Sequence, residues 1–139
     1  MAVFLNNNVG LKINSVDLSD HVTSITLNEV FEELEVTAMS DDSRKYVKGL
    51  ETATLVVSFL NDQGASSVLQ TLEGSYGSSV AWVAINDKDG TVGADNKLYS
   101  GDILINNITP INGDVGSMST IDITFTVNSV VTRATSGTF

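Results

Sequence analysis

The feature that most constrains this chain is the alternation near its end. Ile121, Ile123, Phe125 and Val127 interleave with Thr120, Asp122, Thr124 and Thr126. A period of two places one set on each face of an extended strand, so this segment predicts a strand with one face in a core and one in water. The same pattern recurs upstream. Ile25 and Leu27 alternate with Ser24, Thr26 and Asn28, and Leu55, Val57 and Phe59 alternate with Thr54, Val56 and Ser58. Residues 79–86 are apolar on both faces, as in a covered strand. Residues 98–108 and 118–131 form a last pair around a polar connection. At the start, residues 9–13 and 16–18 flank Asn14 and Ser15 as a small hairpin.

One stretch has helical spacing. Val68, Leu69 and Leu72 make a short apolar stripe within residues 65–73, with Asp62 or Ser66 as candidate caps and Gly74 suited to the position just past the end. A helix that short needs a sheet to dock on. The alternation continues past residue 30 with a break near Glu32 and Glu33, which reads equally as a bulge or a turn. Residues 40–49 show no strand pattern and read as a long polar loop carrying Asp41, Asp42, Arg44, Lys45 and Lys48. The expectation is a mainly β, antiparallel sandwich or barrel with one flanking helix, in a single domain spanning residues 1–139.

Composition limits the chemistry. There is no cysteine among 139 residues, which excludes disulfides, thiolate nucleophiles and cysteine metal sites. Acids outnumber Lys and Arg by 17 to 7, for a net charge of −10. Nucleic-acid binders show the opposite sign, because cations meeting phosphates supply their affinity. No apolar run approaches the length of a membrane span, and residues 2–5 are too short and lack the basic flank for a signal sequence. A soluble protein made in the cytoplasm is expected.

A search for catalytic or metal-binding groups finds little. His21 is the sole histidine and sits in a Ser-Asp-His-Val turn without a nucleophile elbow. Glu29, Glu32, Glu33 and Glu35 cluster, but alternation divides them between the two faces of a strand. The Asp87–Gly90 stretch fails as a calcium loop of the EF-hand kind, since Ile85 stands where the first acidic ligand is needed and Asn96 where the closing glutamate is. Asp89-Gly90 reads as a hairpin turn instead. Asn107-Ile-Thr109 matches a glycosylation sequon, which matters only in a secreted protein. No catalytic, cofactor or metal site is expected, and the chain is read as a non-enzyme.

Several stretches resemble the tail tube proteins of long-tailed, non-contractile bacteriophages, especially those of actinobacterial hosts. Residues 18–27 (LSDHVTSITL) followed by 35–41 (EVTAMSD) are similar to the opening of that family, with Ser40 where glycine is usual. The basic run from Arg44 to Leu50, the Tyr99-Ser-Gly101 triplet, the Pro110–Gly116 stretch (PINGDVG) and Val130 to Thr135 (VVTRAT) resemble its later punctuation. The resemblance implies a β-sandwich whose subunits close into hexameric rings with a continuous inner barrel. It implies that rings stack through a long loop into a tube, alongside tape measure, terminator and distal tail proteins. It further implies that double-stranded DNA would pass through the lumen without specific binding, with no cofactor and no membrane involved. The protein would reside in the virion tail, after assembly in the bacterial cytoplasm.

On that reading the inner sheet is built from residues 22–30, 51–60, 98–108 and 118–128. The lumen-facing set is Ser24, Thr26, Asn28, Thr54, Ser58, Ser100, Asp102, Asn106, Thr120, Asp122, Thr124 and Thr126, and the loop charges at 41–48 pair between rings. Alternatives are the tube of a contractile injection or secretion device, which shares the fold, and a carbohydrate-binding sandwich. Aromatics are only 6 % of the chain, which disfavours the latter. A hydrolase would need a triad or a metal set.

Overall fold

The computed structural model describes residues 8–139; residues 2–5, read above as too short for a signal, lie outside them. Among them, eight strands and one α-helix follow in the order β1 (Gly10–Ile13), β2 (Val16–Asp17), β3 (Val22–Glu35), β4 (Tyr46–Leu60), α1 (Val68–Gly74), β5 (Ser79–Ile85), β6 (Leu98–Leu104), β7 (Thr120–Val127) and β8 (Thr132–Ala134), with a single 3-10 turn at Ser19–His21 between β2 and β3. All pairings are antiparallel, in the spatial order β2-β1-β5-β6-β7-β4-β3, with β8 beside β6. The mainly antiparallel β architecture with one short helix is the expected fold class.

The sheet turns over at β6. The start of β6 pairs with β8, while only Ile103 and Leu104 pair with β7. That narrow link joins a layer of β7, β4 and β3 to a layer of β1, β5 and β6. Leu11, Ile13, Trp82 and Ile103 from one layer meet Leu55, Val57, Ile123 and Phe125 from the other in one core. Burying side chains of this size contributes about 1.5–3 kcal/mol each, the main force closing the layers. The β1–β2 turn has Asn14 at φ 52° and Ser15 at φ 65°, the paired left-handed residues of a type I′ hairpin.

The helix is shorter than its expected span of residues 65–73, and Val68, Leu69 and Leu72 are all buried as the stripe predicts. Gly74 ends the helix rather than lying past it, and Gly77, at φ +82°, takes the left-handed position instead. Ser67 is the N-cap, with no side-chain capping bond; neither Asp62 nor Ser66 fills that place. The main-chain oxygen of Asp62 nonetheless accepts from the Leu69 N–H at 3.1 Å.

Two further boundaries differ. Residues 40–49 are not one loop, because Tyr46 to Gly49 already belong to β4 and the turn occupies residues 36–45. The strand pattern is hidden there because Leu34 faces Val47 while Glu33 faces Lys48, so neither face is uniformly apolar. The break near Glu32 is a bulge: register shifts between Phe31 and Glu33, leaving Gly49 and Leu50 opposite Glu32. A Cβ on Gly49 would lie 2.9 Å from the Glu32 Cβ, so the bulge is tight enough to require glycine. The last pair of strands is also shorter than expected, β6 ending at Leu104 and β7 at Val127.

Candidate functional site

Three strands carry a common outer face. Ser24, Ser58 and Asp122 lie in one row across β3, β4 and β7; Thr26, Val56 and Thr124 form the next; Asn28, Thr54 and Thr126 the third. Thr120, opposite Leu60, extends the face at one end. The inward rows are apolar: Ile25, Val57 and Ile123, then Leu27, Leu55 and Phe125. Pairing thus gathers nine of the expected lumen residues (Ser24, Thr26, Asn28, Thr54, Ser58, Thr120, Asp122, Thr124 and Thr126) onto one surface. In these rows the sole charge is Asp122, and no Lys or Arg appears. Val56 and Leu104, opposite Thr124 and Thr126, are apolar members that sequence reasoning left out of the set.

The other three expected residues lie elsewhere. Ser100 and Asp102 are on β6, but their neighbours are Thr132, Val83 and Ala81, on the other layer. Asn106 falls past the end of β6 and is exposed. The expected four-strand surface is therefore a three-strand surface. The reason is the turn at β6: only its last two residues reach β7.

The second feature is an arm. β7 covers β4 only from Thr54 to Leu60, so Tyr46 to Ala53 pair with β3 alone. Ala53 is buried in the core and residues 51–53 lie beside residues 127–131, so the free part of this two-stranded ribbon, residues 46–50 of β4, projects roughly 15 Å at about 3.3 Å per residue. The ribbon and its base carry Val30, Phe31, Leu34, Tyr46, Val47 and Leu50, each about half exposed except Leu50, which is more so, and Met39 stands fully exposed at the turn. A hairpin of two strands is marginal in water, and an apolar ribbon of this kind is the signature of a covered surface.

Four of the five charged residues expected to reach a neighbour form ion pairs within the arm. Arg44 Nη1 pairs with Glu35 at 3.0 Å, Lys45 Nζ with Asp41 at 2.7 Å and Lys48 Nζ with Glu51 at 3.2 Å. Asp41 also accepts from the Ala38 N–H at 2.8 Å. The Lys45 contact, then the Ala38 bond, hold its carboxyl below the ordinary aspartate value. Asp42 is exposed and pairs with no cation among the described residues. These contacts shape the turn and leave the apolar side chains as the arm's unpartnered chemistry.

Elsewhere the residues singled out for catalysis or metal have structural partners. His21 Nε2 lies 2.9 Å from Asp62 Oδ2. The carboxyl of Asp62 also accepts from the Gly64 N–H at 2.8 Å and bonds Ser67, and these bonds lower its pKa, the Gly64 bond most. The aspartate stands between histidine and serine, whereas a nucleophilic triad needs the histidine in the middle. Asn96 clamps the Asp87 main chain through both its amide atoms, and Asn8 Nδ2 donates to Asp87 and Asp89. Among the described residues no group of three or more His, Asp or Glu side chains is arranged to hold a metal. No described helix is long and apolar enough to cross a membrane.

No protein-family model matches the chain, and no curated protein matches it. Among solved structures, it is similar to a chain of the virion of a native gene transfer agent particle. The TM-score is 0.77 at 10 % identity, over 95 % of this chain and 99 % of that one. At that identity the likeness shows a shared fold across essentially both chains, and the antiparallel β architecture is common to the two.

Proposed function

We propose that this protein is a structural subunit of a virion, and specifically the building block of a phage-type tail tube that conducts DNA. The observation that carries the reading is the three-stranded layer with a polar, cation-free outer face and an apolar inner one. Such a layer wraps naturally around an aqueous channel: the apolar rows stay in the subunit core and the hydroxyl and amide rows meet water. Asp122 repeats once per subunit and repels phosphates weakly, while the absence of Lys and Arg leaves no place where DNA would be held by counterion release. The full-length fold likeness to a chain of a gene transfer agent virion supports a role in a particle of that kind.

In this reading hexameric rings close edge to edge, because β3 leaves a long strand edge beside which no described strand lies. Open edges of this length favour pairing with another chain. The arm then joins rings through its apolar side chains, with the Asp41, Arg44, Lys45 and Lys48 contacts keeping the turn in shape. Tape measure, terminator and distal tail proteins would be its partners in the assembled tail. The function needs no catalytic group and no cofactor. Sedimentation velocity over a concentration series tests the reading: large assemblies are expected to appear above a threshold, and a single 14.7 kDa species at every concentration would refute it.

A further inference from the structure

The free edge that makes ring closure favourable also makes it dangerous, since it invites association at any time. Edge strands are commonly blunted by a charge pointing inward. On the core side of β3, Ile25 and Leu27 are followed by Glu29. Glu29 is largely buried and pairs with Arg133 of β8, which belongs to the opposite layer. The second carboxylate oxygen, Oε1, is buried with no hydrogen-bond partner. Around the pair lies an open cavity of about 370 Å³ bounded by Ile25, Leu27, Ala84 and Tyr99. The mouth of the sandwich at the β3 edge is therefore bridged by one ion pair rather than sealed by apolar packing.

A second copy of this chain adding its strand beside β3 would take the half-exposed Arg133 side of that ion pair out of water. Desolvating an ion pair opposes association unless new hydrogen bonds replace what water supplied, and Glu29 Oε1 already lacks a partner. We propose that the Glu29–Arg133 pair is a brake on self-assembly. It slows the addition of other copies at the β3 edge of the free subunit, so that tubes grow from an existing ring end faster than new rings form. This inference rests on the ring reading above and adds a regulatory element to the same edge.

The test compares the rate of unseeded tube formation, followed by light scattering at fixed concentration, in variants whose thermal unfolding is measured in parallel. The double variant Glu29→Gln with Arg133→Gln removes both charges and keeps amide hydrogen bonding. It is expected to assemble about tenfold faster, the scale of losing one partly buried pair. The exchanged pair, Glu29→Arg with Arg133→Glu, is expected to return to the slow wild-type rate. Arg133→Lys keeps a cation but not the guanidinium fork and is expected to fall between; it decides the matter should the double variant lose its fold. Wild-type tubes that form at the same rate as folded charge-removed variants would overturn the brake and leave the ring reading intact. A wild type that fails to assemble even when seeded with preformed rings would overturn both.

Discussion

Leu34 and Val47 face each other across the arm, and each is 49 % exposed. If a neighbouring subunit covers them, each buries its remaining half. Full burial of such side chains is worth about 1.5–3 kcal/mol, so the pair contributes roughly 1.5–3 kcal/mol to the contact. Replacing both with threonine keeps strand propensity and removes most of this gain. Subunit association should weaken roughly 10- to 150-fold per contact, at about 1.4 kcal/mol per factor of ten. The threshold concentration for assembly, read by sedimentation, should rise accordingly. The melting temperature of the free subunit should move little, because the arm lies outside the main core. A threshold within twofold of wild type, in a folded double variant, would refute the claim that the arm's apolar faces are interface.

Three other perturbations address separate parts of the account. Asp122→Lys places a cation in every subunit on the polar face; assembled tubes should then retain double-stranded DNA in co-sedimentation at low salt and release it as salt rises, whereas wild-type tubes retain none. Equal retention would remove the electrostatic role of Asp122. Phe125→Ala empties a fully buried site at the centre of the core and should cost about 3–5 kcal/mol in urea unfolding; a loss under 1 kcal/mol would mean that the layers do not pack there. The carboxyl of Asp62 is held below its ordinary value of 3.8 by the Gly64, His21 and Ser67 bonds. A lowered pKa means stability present above that ordinary value and lost as pH falls through the folded one. Asp62→Asn should therefore lose less stability than wild type on going below pH 3.8, and an identical acid profile would contradict the assignment.

Much of the sandwich was legible because burial writes itself into period two. The run from Thr120 to Val127 alternates without exception, and its apolar members are all in the core. The outer rows of β3, β4 and β7 could likewise be read residue by residue. What alternation does not reveal is which strands lie side by side. Ser100 and Asp102 share a parity with Leu104, yet only Leu104 reaches β7, because the sheet folds over within β6. The arm escaped for a different reason. Its residues are arranged by pairing with a partner strand and not by burial in this subunit, so Tyr46, Val47 and Lys48 carry no inward face. A ribbon whose sides are both exposed reads as a polar loop when its charges are counted and its cross-strand apolar pairs are not. The Glu29–Arg133 contact spans 104 positions in sequence and left no local trace.

The central claim is that the polar rows of β3, β4 and β7 line a channel. Cryo-electron microscopy of the purified, concentrated protein tests it most directly. The account predicts hollow tubes built of stacked hexameric rings, with Asp122, Thr124 and Thr126 on the inner wall and the arm between rings. Tubes with those residues on the outside, or particles that remain monomeric at every concentration, would contradict it.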